Sequence, residues 1–220
     1  WRCENTSCPA KLQRGLEHFA SRSAMNIEGL GESLIAQLLD GGLVTDYADV
    51  YSLAADTLAA LTSVSVRTDG KEIQRRFGEK NAAKVIAQIE RSKTNDLWRL
   101  IYGLGIRHVG ERGAQVLAQA FGSIDALMAA TLDELQETHE IGPVLAESVR
   151  SWLDEPRNRG LIDRLRVAGV RMEVPPDERV ARAAPGPLKG RTYVVTGTLD
   201  SMTRPAATAA IEKLGAVPGG

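Results

Sequence analysis

Four short segments of the chain align on one pattern, and that repetition limits the possible folds more than any other feature. IEGLGESLI (27–35), RRFGEKNAA (75–83), IRHVGERGA (106–114) and HEIGPVLAE (139–147) align on Gly31, Gly78, Gly110 and Gly142. An apolar residue precedes each glycine: Leu30, Phe77, Val109 and Ile141. Four positions after it come Ile35, Ala82, Ala114 and Ala146, and seven after it Leu38, Val85, Leu117 and Val149. Positions +4 and +7 share one face of an α-helix. The last three glycines are 32 residues apart and the first gap is 47. Recurrence at that spacing marks a repeated supersecondary unit, here two helices joined by a hairpin that ends in glycine.

The rest of the chain supports a mainly α fold built from tandem helix–hairpin–helix units. From Ala10 to about Gly169 the pattern is helical, as in GESLIAQLLDGG (31–42), EKNAAKVIAQIERSK (79–93) and ERGAQVLAQAFG (111–122). Gly41 and Gly122 are candidate C-caps. The second repeat is preceded by SVSVRTDGKEIQR (63–75), which reads as an insert. VPPDERVARAAPGP (174–187) has four prolines and no apolar stripe, and reads as a linker. GRTYVVTGTL (190–199) then reads as a β-strand and MTRPAATAAIEKLGA (202–216) as a helix. A single β–α unit of that size is too small to close its own core, so a domain cut short is expected there. The predicted boundaries are 1–20, 21–172, 173–187 and 188–220.

Hydrophobic content of 43% suits a globular chain, and no apolar run approaches the ~18–20 residues of a membrane span. There is no secretory signal pattern. A cytoplasmic location is therefore expected, with no membrane partner. The first residue is Trp1 rather than Met, which suggests a piece of a longer polypeptide. The net charge of −1 argues at first against a polyanionic partner, but the distribution is uneven. Residues 61–122 hold 11 basic against 6 acidic residues, between acidic flanks. A basic middle suits an electropositive patch and equally suits solvated helix faces.

The hairpins suggest a specific chemistry. Glycine allows a positive φ and, lacking a Cβ, lets another chain come close. The following helix offers its free N-terminal amides and the positive end of its dipole at the same point. Together these make an anion site without a charged side chain, suited to a phosphate and indifferent to base sequence. Gly29, Gly31, Gly78, Gly110 and Gly142 are the candidate backbone contacts. Lys80, Lys84, Arg107, His108 and Arg112 stand near the second and third hairpins, where they could reach phosphates. Each taken singly also reads as an ordinary turn or surface residue. Only the first repeat keeps a full Gly-x-Gly; the others place Arg76, His108 and Glu140 at the earlier position, and Glu140 would repel a phosphate that it faced.

WRCENTSCPAK (1–11) contributes Cys3 and Cys8. Two thiolates on a turn can form half of a tetrahedral zinc site, whereas a closed structural site needs four ligands.

The order of these parts resembles the C-terminal half of a bacterial NAD+-dependent DNA ligase. The resemblance runs over nearly the whole chain, through HFASRSAMNIEGLGESLIAQLL (18–39), LIYGLGIRHVGE (100–111) and LKGRTYVVTGTLDSMTR (188–204). It implies that Cys3 and Cys8 are the second pair of a four-cysteine zinc finger, and that the repeats grip nicked duplex DNA across the minor groove. It also implies that 188–220 begins a BRCT domain, with Thr196 and Gly197 in the turn after its first strand. GAVPGG (215–220) departs from the basic continuation into a second strand expected there. Such ligases are adenylylated on a lysine in Lys-x-Asp-Gly, with NAD+ as AMP donor. No such motif occurs in 1–220, where TDGK (68–71) has the wrong order.

The leading expectation is thus a monomeric DNA-binding portion of a nick-sealing enzyme used in replication and repair. It would contain no catalytic residue, and NAD+ and magnesium would bind outside these 220 residues. One rival is a stand-alone helix–hairpin–helix DNA-structure binder or nuclease accessory subunit. Another is a protein-interaction module in which the repeat serves only packing.

Overall fold

The computed structural model describes residues 9–66, 72–175, 178, 188, 191–197, 203–214 and 216–219. Contacts divide the chain into two compact units, Trp1–Val174 and Pro175–Gly220.

The first unit is built from four helix pairs. Helix α1 (Pro9–Ala20) leads through the first hairpin to α2 (Glu32–Asp40), and a 3-10 turn (Ala48–Ser52) leads on to α3 (Ala55–Ala60). Strands β1 (Thr62–Val66) and β2 (Glu72–Arg76) intervene before α4 (Glu79–Ser92). The third pair is α5 (Leu97–Gly103) and α6 (Glu111–Phe121), followed by a short connecting helix, α7 (Ile124–Ala129). The fourth pair is α8 (Leu132–Gln136) and α9 (Pro143–Asp154), and α10 (Pro156–Val167) closes the unit.

The aligned positions of the repeat are the core. Ile35, Ala82, Ala114 and Ala146 are buried at 1% exposure or less, and Leu38, Val85, Leu117 and Val149 at 2% or less. Alanine at +4 in three of the repeats lets the second helix lie close against the first, since a longer side chain would hold the two apart. Leu30, Val109 and Ile141 are buried as well, and Phe77 packs partly buried against the same core. No helix among the described residues is long and apolar enough to cross a membrane.

Within the expected insert, β1 and β2 pair as an antiparallel ribbon, with Thr62 opposite Arg76 and Val66 opposite Glu72. The alternating SVSV (63–66) carries the signal for its first strand. The pairing continues beyond the strands, because the Phe77 amide donates to the Leu61 carbonyl and the Gly78 amide to that of Ala59. The second hairpin is therefore the end of a ribbon rather than a short turn.

Side-chain braces tie distant parts together. Arg99 on α5 donates through Nη1 to the carbonyls of Arg22 (3.0 Å) and Ala24 (2.8 Å), and Asn95 donates to that of Met25 (2.7 Å). These bonds fix the loop between α1 and α2. Arg164 on α10 pairs with Asp46, just before the 3-10 turn, and with Asp49 inside it. Gly122 ends α6 in the left-handed conformation (φ +71), as a C-cap glycine does. After α2 the left-handed residue is Gly42 (φ +64), one position beyond Gly41, which stays right-handed.

In the second unit, β3 (Thr192–Val194) and β4 (Val217–Gly219) pair in parallel and α11 (Arg204–Lys213) connects them. The expected β–α unit is thus a β–α–β crossover, and Val217–Gly219 form a strand where a departure from one was expected. Gly197 follows β3 with φ +78, a turn conformation suited to glycine. Most of the expected linker lies outside the described residues, as do Cys3 and Cys8.

Candidate nucleic-acid interface

The mouths of α2, α4, α6 and α9 form the candidate site. Each helix takes its N-cap from the repeat: Gly31, Gly78, Gly110 and Gly142, none with a side-chain cap. The capping carbonyls accept the first helical bonds, as from Ile35, Ala82, Ala114 and Ala146. The Leu34 and Leu145 amides also donate to the Gly31 and Gly142 carbonyls. The first amides of each helix have no carbonyl of their own helix to meet, and at the fourth mouth Pro143 leaves only the Val144 amide in that position. Elsewhere the chain does supply such partners. Ser123 caps α7 by accepting from the Ala126 amide, and Thr131 caps α8 in a capping box with Glu134. Helices α3, α5 and α10 also lack side-chain caps, so a missing cap alone is not diagnostic.

The glycines themselves are more telling. Gly31, Gly110 and Gly142 hold φ of −96°, −82° and −78° with extended ψ, a conformation open to any residue. The expected positive φ lies two residues earlier, at Gly29 (+90°), His108 (+64°) and Glu140 (+68°). A Cβ placed on Gly31, Gly110 or Gly142 would meet nothing within 4 Å. The fold asks for glycine at none of the three, although Ser, Thr, Asp or Asn would cap each helix better than Ala. Gly78 differs: it carries the positive φ itself (+81°), because Arg76 belongs to β2.

Gly29 is a different case. Its Cβ would come within 2.9 Å of Val85 Cγ2 on α4, so its bareness serves packing of the first hairpin on the second pair. The third and fourth pairs also touch, since a Cβ on Gly113 would lie 3.3 Å from Leu145 Cδ1. Gly105 sits outside this arrangement, in the turn that ends α5 (φ +66°).

Lys80, Lys84, Arg107 and His108 are exposed. Among the described residues, Lys80, Lys84 and Arg107 have no ion-pair partner. Arg112 does. Its Nε and Nη2 donate to the two carboxylate oxygens of Glu140, at 2.9 and 2.6 Å. Hydrogen bonding to Arg112 holds the Glu140 carboxyl below the usual glutamate range, and His139 Nδ1 stands 3.6 Å from the same carboxylate. Sequence reasoning treated Arg112 and Glu140 separately; nothing in linear spacing joins residues 28 apart. It also missed Arg99 and Asn95, whose carbonyl partners leave no mark in sequence. No cluster of potential metal ligands occurs among the described residues.

Residues 99–162 match a family model described as a helix-hairpin-helix motif, which spans the third and fourth pairs. The chain is 43% identical to a DNA ligase of Acidobacterium capsulatum over 98% of its length. It is 46% identical to DNA ligases of Desulforamulus reducens and Heliobacterium modesticaldum, over 97% and 98%. The chain is related, over nearly its whole length, to a segment of bacterial DNA ligases. It spans only 29–30% of those curated relatives. Ligase kinship across both units favours the ligase reading over a free-standing helix–hairpin–helix binder.

Proposed function

We propose that this chain is the DNA-gripping segment of an NAD+-dependent DNA ligase, contributing hold on nicked duplex rather than bond-forming chemistry. One observation carries the reading most directly. Gly31, Gly110 and Gly142 occupy helix mouths where the fold accepts any residue and where a Cβ would meet open space. Bare backbone at such points suits the close approach of an outside group, and free amides at the positive helix end suit an anion. Repeated along a chain, that anion is a phosphodiester backbone. Lys80, Lys84 and Arg107, without ion-pair partners among the described residues, add positive charge beside the second and third mouths. The related proteins carry the name DNA ligase, and on this reading adenylylation would take place outside this segment, which contains no Lys-x-Asp-Gly.

The same proposal assigns Cys3 and Cys8 to zinc as two of its four ligands. Thiolates are suitable zinc ligands, and on this reading two further ligands would be supplied by another part of the ligase. NAD+ and magnesium would likewise bind elsewhere in the ligase, and the segment would act as a monomer on nicked duplex in the cytoplasm.

Binding of fluorescent nicked duplex at several salt concentrations tests the grip. The affinity of the unaltered chain should fall steeply as salt rises, because each phosphate contact releases counterions. Gly110→Val and Gly142→Val should each weaken binding about tenfold or more, with helical circular dichroism retained. Unaltered binding by both variants would defeat the reading and favour a purely structural repeat.

A further inference from the structure

Arg112 and Glu140 form a two-bond ion pair between residues 28 apart in the chain. Both side chains reach solvent, with 72% and 38% exposure, and they come from different hairpins. Glu140 holds φ +68°, the left-handed conformation that Gly29 adopts at the equivalent place in the first repeat. His108 adopts the same conformation in the third repeat (φ +64°), so the turn sets the backbone there and leaves the side chain pointing out of the hairpin as the variable element. From that position the Glu140 carboxylate reaches the first turn of α6, two residues after Gly110, and engages the guanidinium by two parallel bonds.

We infer that Glu140 is an internal stand-in for a phosphate: it occupies the Nε–Nη2 edge of Arg112 until a DNA phosphate displaces it. The inference rests on the DNA-gripping function proposed above. A carboxylate and a phosphate present the same paired oxygen acceptors to a guanidinium fork, so one edge serves only one of them at a time. Pairing with Glu140 keeps Arg112 oriented across the gap between the third and fourth mouths. It also makes every encounter with DNA an exchange of one anion for another. The third hairpin is thereby set to hold duplex less tightly than its charge would allow, which suits a segment that must let go of its product.

The test uses four proteins: the unaltered chain, Glu140→Gln, Arg112→Ala and the double variant. Glu140→Gln keeps the size of the side chain and removes its charge. It should bind nicked duplex about three- to tenfold more tightly near physiological salt, with a salt dependence steeper by about one counterion. In the Arg112→Ala background the same change should gain less than twofold. Glu137→Gln, an exposed carboxylate nearby on the fourth pair, should leave affinity unchanged. Unchanged or weaker binding by Glu140→Gln would overturn the inference. An equal gain with and without Arg112 would overturn it too, since bulk repulsion would then explain the effect. Absence of salt-dependent binding by the unaltered chain would instead defeat the underlying function, and this inference with it. Helical circular dichroism of each variant separates these outcomes from misfolding.

Discussion

Gly29 lies against Val85 so closely that a methyl group on the glycine would come within 2.9 Å of the valine Cγ2. Two residues later, Gly31 faces open space. One hairpin therefore holds a glycine that the fold needs beside one that it does not. Gly29→Ala combines a tight contact with φ +90° and should lower stability by about 1–3 kcal/mol, seen as an earlier denaturation midpoint. Gly31→Ala should stay within about 1 kcal/mol of the unaltered chain while losing severalfold affinity for nicked duplex. Equal stability of the two variants would contradict the division of roles.

The small residues at +4 should be sensitive to size rather than polarity. Ala114 and Ala146 are fully buried between paired helices. Ala114→Leu or Ala146→Leu should cost about 1–3 kcal/mol through overpacking, measured by urea unfolding. Exposed Ala83 on α4 should accept leucine with little change.

Arg99 positions the first hairpin without being part of its mouth. Arg99→Met keeps the aliphatic stem but removes the donors to Arg22 and Ala24. Two carbonyls then lose their partner, at a cost of about 1–2 kcal/mol. Amide hydrogen exchange over 21–26 should quicken, and DNA affinity should fall severalfold. Exchange no faster than in the unaltered chain would show that the loop holds its own shape.

Acid should weaken the brace between α10 and the 3-10 turn. Desolvation pushes the Asp49 carboxyl up, but hydrogen bonds from the Thr45 hydroxyl and amide and from Arg164 outweigh it, so its pKa lies below the usual aspartate value. A carboxyl more acidic in the folded chain stabilises it fully above its unfolded pKa of about 3.9. That contribution fades as pH falls through the folded pKa. Asp49→Asn should thus be less stable than the unaltered chain at pH 7, and the gap should close toward pH 3. A gap that is constant with pH would assign the effect to packing.

Much of the helical unit was legible because periodicity and packing express the same fact. The +4 and +7 residues recur in sequence, and those residues form the core. Dihedral angles are another matter. Recurrence singled out Gly31, Gly110 and Gly142, but the turn that needs a positive φ falls on the preceding variable position, filled by Gly29, His108 and Glu140. The ribbon at 62–76 had an alternating signal, yet its pairing depends on where α3 and α4 hold its ends. The bridge from Arg112 to Glu140 depends on the spacing of whole hairpins, which no local pattern encodes.

Arg164 reaches residues 118 and 115 positions earlier when it grips Asp46 and Asp49. A chain of small repeats could in principle melt piecemeal, each pair parting from its neighbour. This long-range tie joins the last helix of the unit to the stretch between its first two pairs. It should make the helical unit lose its structure in one cooperative step. Isolated halves would each surrender that anchor, so a truncated version holding only the third and fourth pairs begins with less than its share of the stability.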